Sequence, residues 1–271
     1  MIDLRQGDCL ELMKEIPDKA VDMILCDLPY GCLNKHKSKW DNKIDFNNLW
    51  QEYSRIIKDN GVIALFGQGL FTAECIMSNK KYFRYTLVWD KVAKNGFLNA
   101  NRMPLRQHED IIIFYKKQPV YNPQMTKCKP DKRNHGKGKM LNHPVNNCYG
   151  NFVDLPTTVR DEKFPTTIIS VPKEHCNGKF FHPTQKPVKL LEYLIKTYTN
   201  ENEVVLDNCA GSMSTAIACL NTNRNGIMIE KDEHYFEVGC KRIKQHILDN
   251  NINLYYNQVR YGVIWQNLKI G

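Results

Sequence analysis

Four consecutive residues, Asp27-Leu28-Pro29-Tyr30, put a carboxylate, a backbone carbonyl held by the following proline, and an aromatic ring side by side. The carboxylate and the carbonyl are two acceptors for the two hydrogens of a planar amine, and the ring can stack on the plane that carries it. An ordinary Asp-x-Pro turn uses the same residue types, so the rest of the chain has to decide between the readings. A second stretch with chemistry is Val205-Leu206-Asp207-Asn208-Cys209-Ala210-Gly211-Ser212, followed by Gly226-Ile227-Met228-Ile229-Glu230. Small residues after a strand let backbone approach a ligand, and a carboxylate at the end of the next strand suits ribose hydroxyls.

What ligand that loop takes follows from its charge. A dinucleotide is one option, but the G-x-G-x-x-G pattern is absent and only Gly211 remains. Nothing there resembles a phosphate nest. An acidic loop repels pyrophosphate and tolerates a sulfonium amino acid, which favours S-adenosylmethionine over a nucleotide. A purely structural strand-to-helix turn is the bland alternative.

The elements that must position these residues read as alternating strands and helices. Val21 to Cys26 is a near-continuous apolar run, as in a strand buried on both faces, and it ends at Asp27. Before it come a short strand from Ile2 and helical spacing at Leu10, Met13 and Ile16. After it, Leu49, Tyr53, Ile56 and Ile57 mark a helix expected to close at Asn60-Gly61. Strands are expected at 62–66, 82–89 and 110–115. Periodicity then lapses until Pro187, apart from a candidate strand at 166–171. A helix with Val188, Leu191, Leu194 and Tyr198 on one face follows, then strand, loop, helix and strand to Glu230. Asp232 is a plausible N-cap for a final helix presenting Phe236, Cys240, Ile243 and Ile247. This alternation argues for an α/β, doubly wound sheet.

The order of these motifs resembles the amino-methylating DNA methyltransferases of the β arrangement, in which an Asp-Pro-Pro-Tyr motif precedes the target-recognition region and the cofactor loop follows it. Asp27-Leu28-Pro29-Tyr30 matches the catalytic motif, and His182-Pro183-Thr184-Gln185-Lys186-Pro187 the motif before the first cofactor helix. Residues 205–212 match the cofactor loop, and 226–230 the ribose-binding strand. Gly7-Asp8 resembles the segment whose Asp holds adenine. The resemblance covers nearly all of the chain outside 117–181 and the tail. It implies a Rossmann-like S-adenosylmethionine-dependent methyltransferase fold with a mixed sheet, circularly permuted motif order and an inserted target-recognition region.

By the same resemblance, residues 1–116 are the catalytic half, 117–181 the target-recognition insert, 182–250 the cofactor half and 251–271 a tail. Asp27, Leu28, Pro29 and Tyr30 would form the amine site. Asp8, Asp27, His182, Thr184, Lys186, Asp207, Asn208, Cys209, Gly211, Ser212 and Glu230 would hold the cofactor. An Asp-first motif goes with adenine N6 more often than with cytosine N4, so the expected reaction is methylation of N6 of an adenine flipped from duplex DNA; cytosine N4 is the alternative on the same fold. The sequence departs from the family at Leu28, where proline is usual, and at Met213, where glycine is usual. The working group at Leu28 is its carbonyl, which the side chain leaves intact. A bulky side chain at 213 is expected to crowd the cofactor, and a catalytically inactive DNA-binding subunit is the reading that follows if it blocks the site.

Charge agrees with a polyanion partner. The chain carries 38 Lys and Arg against 29 Asp and Glu, a net charge of +9. Residues 116–186 hold 13 of the bases and only 5 of the acids, a net of +8. A basic, loop-rich segment beside a balanced remainder is the footprint of nucleic-acid binding. The contacts expected with double-stranded DNA are Lys35, Lys37 and Lys39 in a polar loop, and Lys127, Lys129, Lys132, Arg133, Lys137 and Lys139 in the insert. The family also implies pairing as a homodimer and a restriction endonuclease acting at the same site.

Ten cysteines without a C-x-x-C pair fit scattered reduced thiols better than a disulfide scaffold. Cys128, His135, His143 and Cys148 match no compact zinc module, and the chemistry above requires no metal. No apolar run reaches the roughly 18 residues of a membrane span. The N-terminus lacks a signal peptide's basic start and apolar core, so a cytoplasmic location is expected.

Overall fold

The structure, a computed structural model, describes residues 1–32, 41–128, 161–173, 185–252 and 259–261. Lys35, Lys37, Lys39, Lys129, Lys132, Arg133, His135, Lys137, Lys139, His143, Cys148, His182 and Thr184, all named above, lie outside the described residues. The chain divides into two compact units, residues 1–122 with 167–271, and residues 123–166.

The larger unit is built on a nine-stranded sheet. Its strands are β1 (Ile2–Gln6), β2 (Val21–Cys26), β3 (Ile57–Gly67), β4 (Phe83–Asn95), β5 (Arg106–Phe114), β8 (Ile168–Ser170), β9 (Val204–Asp207), β10 (Asn225–Glu230) and β11 (Val259–Tyr261), in the spatial order β11-β1-β10-β9-β2-β3-β5-β4-β8. Neighbours from β11 to β3 pair in parallel, β5 runs antiparallel to both β3 and β4, and β4 pairs in parallel with β8. One edge of the sheet therefore collects the carboxyl ends of β1, β10, β9, β2, β3 and β4 together with the amino end of β5. Ligands of open α/β sheets bind at such an edge.

Side-chain alternation along the central strands explains the helices on both faces. Met23, Leu25, Ala64, Phe66, Ile111 and Ile113 point to one side, where they pack with residues of α4 (Val188–Tyr198), α5 (Ser214–Asn221) and α6 (Glu233–Asp249). Ile24, Cys26, Ile63, Leu65, Ile112 and Phe114 point to the other, against α1 (Cys9–Met13), α2 (Phe46–Ile56) and α3 (Leu70–Ser78). A strand buried on both faces needs apolar residues throughout, which is why β2 reads as an unbroken run. Each fully buried Leu or Ile contributes about 1.5–3 kcal/mol, so the two layers fix the strand ends firmly.

The described part of the smaller unit is a two-stranded antiparallel ribbon, β6 (Thr126–Lys127) with β7 (Glu162–Lys163). Thr167 and β8, expected to belong to the recognition segment, join the larger unit instead, because β8 completes the sheet beside β4.

Candidate active site

Asp27 sits immediately beyond the last residue of β2, and its carboxylate is held from two directions. The Tyr30 hydroxyl donates to Oδ1 at 3.2 Å, and the Lys186 ammonium pairs with Oδ2. Burial pushes this carboxyl above the usual carboxylate range, against the pull of Lys186. Leu28 is buried among the α1, α2 and β2 side chains, so its side chain is an anchor for the turn. Gly31 follows at a φ of 66°, and its amide donates to the buried Asp41 at 2.8 Å. Phe71 of α3 stacks on the Tyr30 ring with centroids 4.4 Å apart. One face of that ring is thus already covered, and the residue is half-buried.

Lys186, read from sequence as a cofactor residue, is placed against Asp27. It enters just before α4, is buried, and lies 4.9 Å from the centre of the Phe66 ring on β3. Its ammonium reaches past β3 to Glu109 on β5, 3.4 Å from Oε2. Burial alone would lower its pKa, but the Asp27 and Glu109 carboxylates outweigh this and raise it. Glu109 in turn pairs with Lys91 of β4 at 2.5 Å. Sequence reading missed Glu109 and Lys91. The available signal was a carboxylate just ahead of the apolar run Ile111 to Phe114; only the antiparallel direction of β5 brings it to the same edge as Asp27.

The second group lies along the same edge, at β9, β10 and β1. Asp207 ends β9, with its carboxylate accepting from the Thr215 hydroxyl at 2.5 Å and the Cys209 amide at 3.1 Å. Burial pushes its pKa up to about 6 despite these donors. Gly211 adopts a φ of 51°, and its amide donates to Glu230 Oε2 at 2.7 Å. The other Glu230 oxygen accepts from Asp232 at 2.8 Å, so this carboxylate ties the loop to the start of α6. Asp8 caps α1 through Leu10 at 2.9 Å and pairs with Lys231 at 2.9 Å. The Gly7 amide donates to the Glu230 carbonyl, setting Asp8 beside it.

Two loop residues named from sequence are structural in their contacts. Asn208 is buried and accepts from the Tyr53 hydroxyl of α2 at 2.6 Å. Ser212 is buried, bonded to Gln185 at 3.2 Å and capped by Arg242 through its carbonyl at 2.9 Å. Cys209 is half-buried beside its neighbour Asn208.

Met213 does not fill the loop. It keeps the left-handed backbone that glycine would supply, with φ 62° and ψ 33°, and its side chain is fully buried in the core. The space is supplied by Gly239 of α6, where an added Cβ would come within 2.2 Å of Met213 Cγ. The expected crowding at 213 is thus absorbed on the α6 side of the loop.

The donor set at this second group is acidic and hydroxyl-seeking: Asp207, Glu230 and Asp8 are carboxylates at neighbouring strand ends. It fits ribose hydroxyls and a cationic amino-acid end and opposes a pyrophosphate. No helix among the described residues is long and apolar enough to cross a membrane.

The chain is similar to known proteins over most of its length. Residues 21–241 match the N6_N4_Mtase family model, described as DNA methylase. The Type II methyltransferase M2.MboI of Moraxella bovis is 27% identical over 266 residues, covering 89% of this chain and 86% of its own length. M.HinfI of Haemophilus influenzae is also 27% identical, over 89% of this chain and 67% of its own. Among solved structures, the M1.HpyAVI–SAM complex superposes with a TM-score of 0.60 at 22% identity over 90% of this chain and 99% of its own. The cytosine-N4-specific PvuII DNA methyltransferase does so at 0.64 and 17% identity, over 92% and 87%. These likenesses give the chain a Rossmann-like methyltransferase fold, and the match across most of its length places it in the N6_N4_Mtase family of DNA methylases.

Proposed function

We propose that the chain transfers a methyl group from S-adenosylmethionine to N6 of an adenine flipped out of duplex DNA. The observation that carries this reading is Asp27: an acceptor-only carboxylate at the carboxyl end of β2, held by Lys186 and Tyr30 and followed by the Leu28 carbonyl. An exocyclic amine is a poor nucleophile because its lone pair is delocalised into the ring. Binding one hydrogen to the Asp27 carboxylate and the other to the Leu28 carbonyl turns the nitrogen toward sp³ and aims its lone pair. Tyr30, backed by Phe71, offers a ring on which the base can stack. These residues contribute position and electrostatics and need form no covalent intermediate.

Asp207, Gly211, Glu230 and Asp8 would hold the cofactor, which supplies an electrophilic methyl group when bound. Support for DNA at this edge comes from the turn between β4 and β5. Residues 91–107 contain Lys91, Lys94, Arg102 and Arg106 and no acid, and the last three are exposed. The names of the Type II relatives support a role alongside a restriction endonuclease, and pairing as a homodimer is part of the same proposal.

The test combines three measurements. Calorimetry is expected to show binding of S-adenosylmethionine to both the wild type and Asp27→Ala; no binding by either would favour the inactive-subunit reading. Digestion of DNA methylated by the enzyme is expected to yield N6-methyl-2′-deoxyadenosine by mass spectrometry, and N4-methyl-2′-deoxycytidine would overturn the choice of base. Asp27→Ala is expected to abolish transfer, and retained activity would sink the assignment of the amine site.

A further inference from the structure

Four charged side chains alternate in sign across four adjacent strands at the catalytic edge. Asp27 follows β2, Lys186 lies over Phe66 of β3, Glu109 is on β5 and Lys91 on β4. Lys91 pairs with Glu109 at 2.5 Å, Glu109 approaches Lys186 at 3.4 Å, and Lys186 pairs with Asp27. The side chains of Lys91, Lys186 and Glu109 are 5%, 9% and 15% exposed. Taking so many charges out of water is costly, and a sheet edge that needed only stability would be served as well by apolar residues. Among the described residues, Glu109 Oε2 is the buried side-chain oxygen that lacks a hydrogen bond, although it faces the Lys186 ammonium.

We propose that Glu109 is a positioning residue for methyl transfer: it holds the Lys186 ammonium across the Phe66 ring so that Asp27 Oδ2 is occupied and Oδ1, which also accepts from the Tyr30 hydroxyl, is the oxygen that takes the amine hydrogen, while Lys91 keeps the row neutral. This rests on the reading of Asp27 as the amine acceptor. As the methyl group arrives, positive charge develops on the amine nitrogen. Lys186 braces Asp27 but is itself a cation close to that nitrogen. An adjacent carboxylate cancels its long-range field while leaving its short contact with Oδ2 intact. Without Glu109, Lys91 would lose its carboxylate partner, and Lys186, held by Asp27 alone, would be free to shift along the ring.

The groups facing Lys186 define its titration. They are Asp27, whose other partner is the Tyr30 hydroxyl, and Glu109, with Lys91 beyond it; Lys173, after β8, adds a positive field. Removing one of the two anions makes the ammonium easier to deprotonate. Loss of that proton would leave Asp27 unbraced.

The full-length enzyme is assayed as wild type, Glu109→Gln, Glu109→Asp and Lys91→Met, with Asp27→Ala as control, against duplex DNA and S-adenosylmethionine. Glu109→Gln is expected to lower kcat roughly 10²-fold, the scale of a displacement of about 1 Å in a reacting group. KM for DNA and the Kd for S-adenosylmethionine should stay within about threefold, since neither ligand needs Glu109 to bind. Its kcat should also fall off on the alkaline side below about pH 10, where the wild type holds, because lysine ordinarily titrates near there. Glu109→Asp should recover at least part of kcat, and Lys91→Met should lower it less than Glu109→Gln does. Wild-type kcat and an unshifted alkaline limb in Glu109→Gln would overturn the proposal. So would equal loss of kcat and ligand binding in Glu109→Gln with no recovery in Glu109→Asp, which is the signature of a purely structural carboxylate. If Asp27→Ala stays active, the underlying assignment of the amine site fails; if Asp27→Ala is dead and Glu109→Gln is unaffected, only the role of Glu109 fails.

Discussion

At the scale of single residues, the side chains at the catalytic edge are held by partners distant in sequence. Asp27, Tyr30, Asp207 and Glu230 stand out in the sequence because short motifs at strand ends contrast with the apolar runs before them. Lys186 was grouped from sequence with the cofactor residues, and its contacts with Asp27 and Glu109, 159 and 77 positions away, follow only from the sheet order. Met213 likewise depends on a partner its own loop does not announce, a glycine one helix away. That pairing gives a direct prediction. Gly239→Ala should destabilise the protein by about 1–3 kcal/mol, because the new methyl would overlap Met213. Met213→Gly should itself cost about 2–5 kcal/mol in lost burial, less about 1 kcal/mol regained from the left-handed backbone. Combining the two should add little to Met213→Gly alone. Denaturant unfolding of the four proteins in a double-mutant cycle checks this, and strictly additive losses would rule out the contact.

At the scale of elements, β2 and the starts of α4 and α6 were read to within a residue, because each has an unmistakable period or cap. The junction of α2 and β3 was not. The helix expected to run to Asn60-Gly61 stops at Ile56, and Ile57 to Asn60 extends β3. A polar stretch ordinarily read as a turn is recruited to the sheet by Asp22 of β2, which pairs with Lys58 at 2.6 Å and accepts from the Val204 amide at 2.9 Å. Helix α2 has a second duty that no local pattern announces. Its Tyr53 donates to Asn208, so the helix braces the loop after β9 from beneath. Tyr53→Phe should leave a buried acceptor unpaired and cost about 1–3 kcal/mol. It should also weaken S-adenosylmethionine binding while sparing the affinity for DNA. Thermal unfolding and calorimetry would measure the two effects, and an unchanged cofactor affinity would show that the loop keeps its shape without this brace.

At the scale of the whole molecule, the +9 charge matters by where it falls. Sequence placed it in the insert, which was legible as a compositional shift, and missed a second cluster because three cations scattered over 94–106 look like an ordinary polar turn. Strand register supplies what composition lacks. Asn95 pairs with Arg106 beyond the point where Trp89 pairs with Glu109, so the turn from β4 to β5 continues past the catalytic edge. Lys94, Arg102 and Arg106 are exposed, and they lie on or beside this turn. Cations that contact phosphate contribute through counterion release, with a slope of log affinity against log salt of about −0.9 per contact. Replacing all three by Ala should weaken DNA binding and flatten that slope by about 2–3 if each meets a phosphate. Their exposure means the fold should tolerate the change, and unaltered binding of S-adenosylmethionine would confirm it. Titrations of DNA at several salt concentrations make the measurement. A slope equal to that of the wild type would remove this turn from the DNA-binding surface and leave the insert to carry the charge alone.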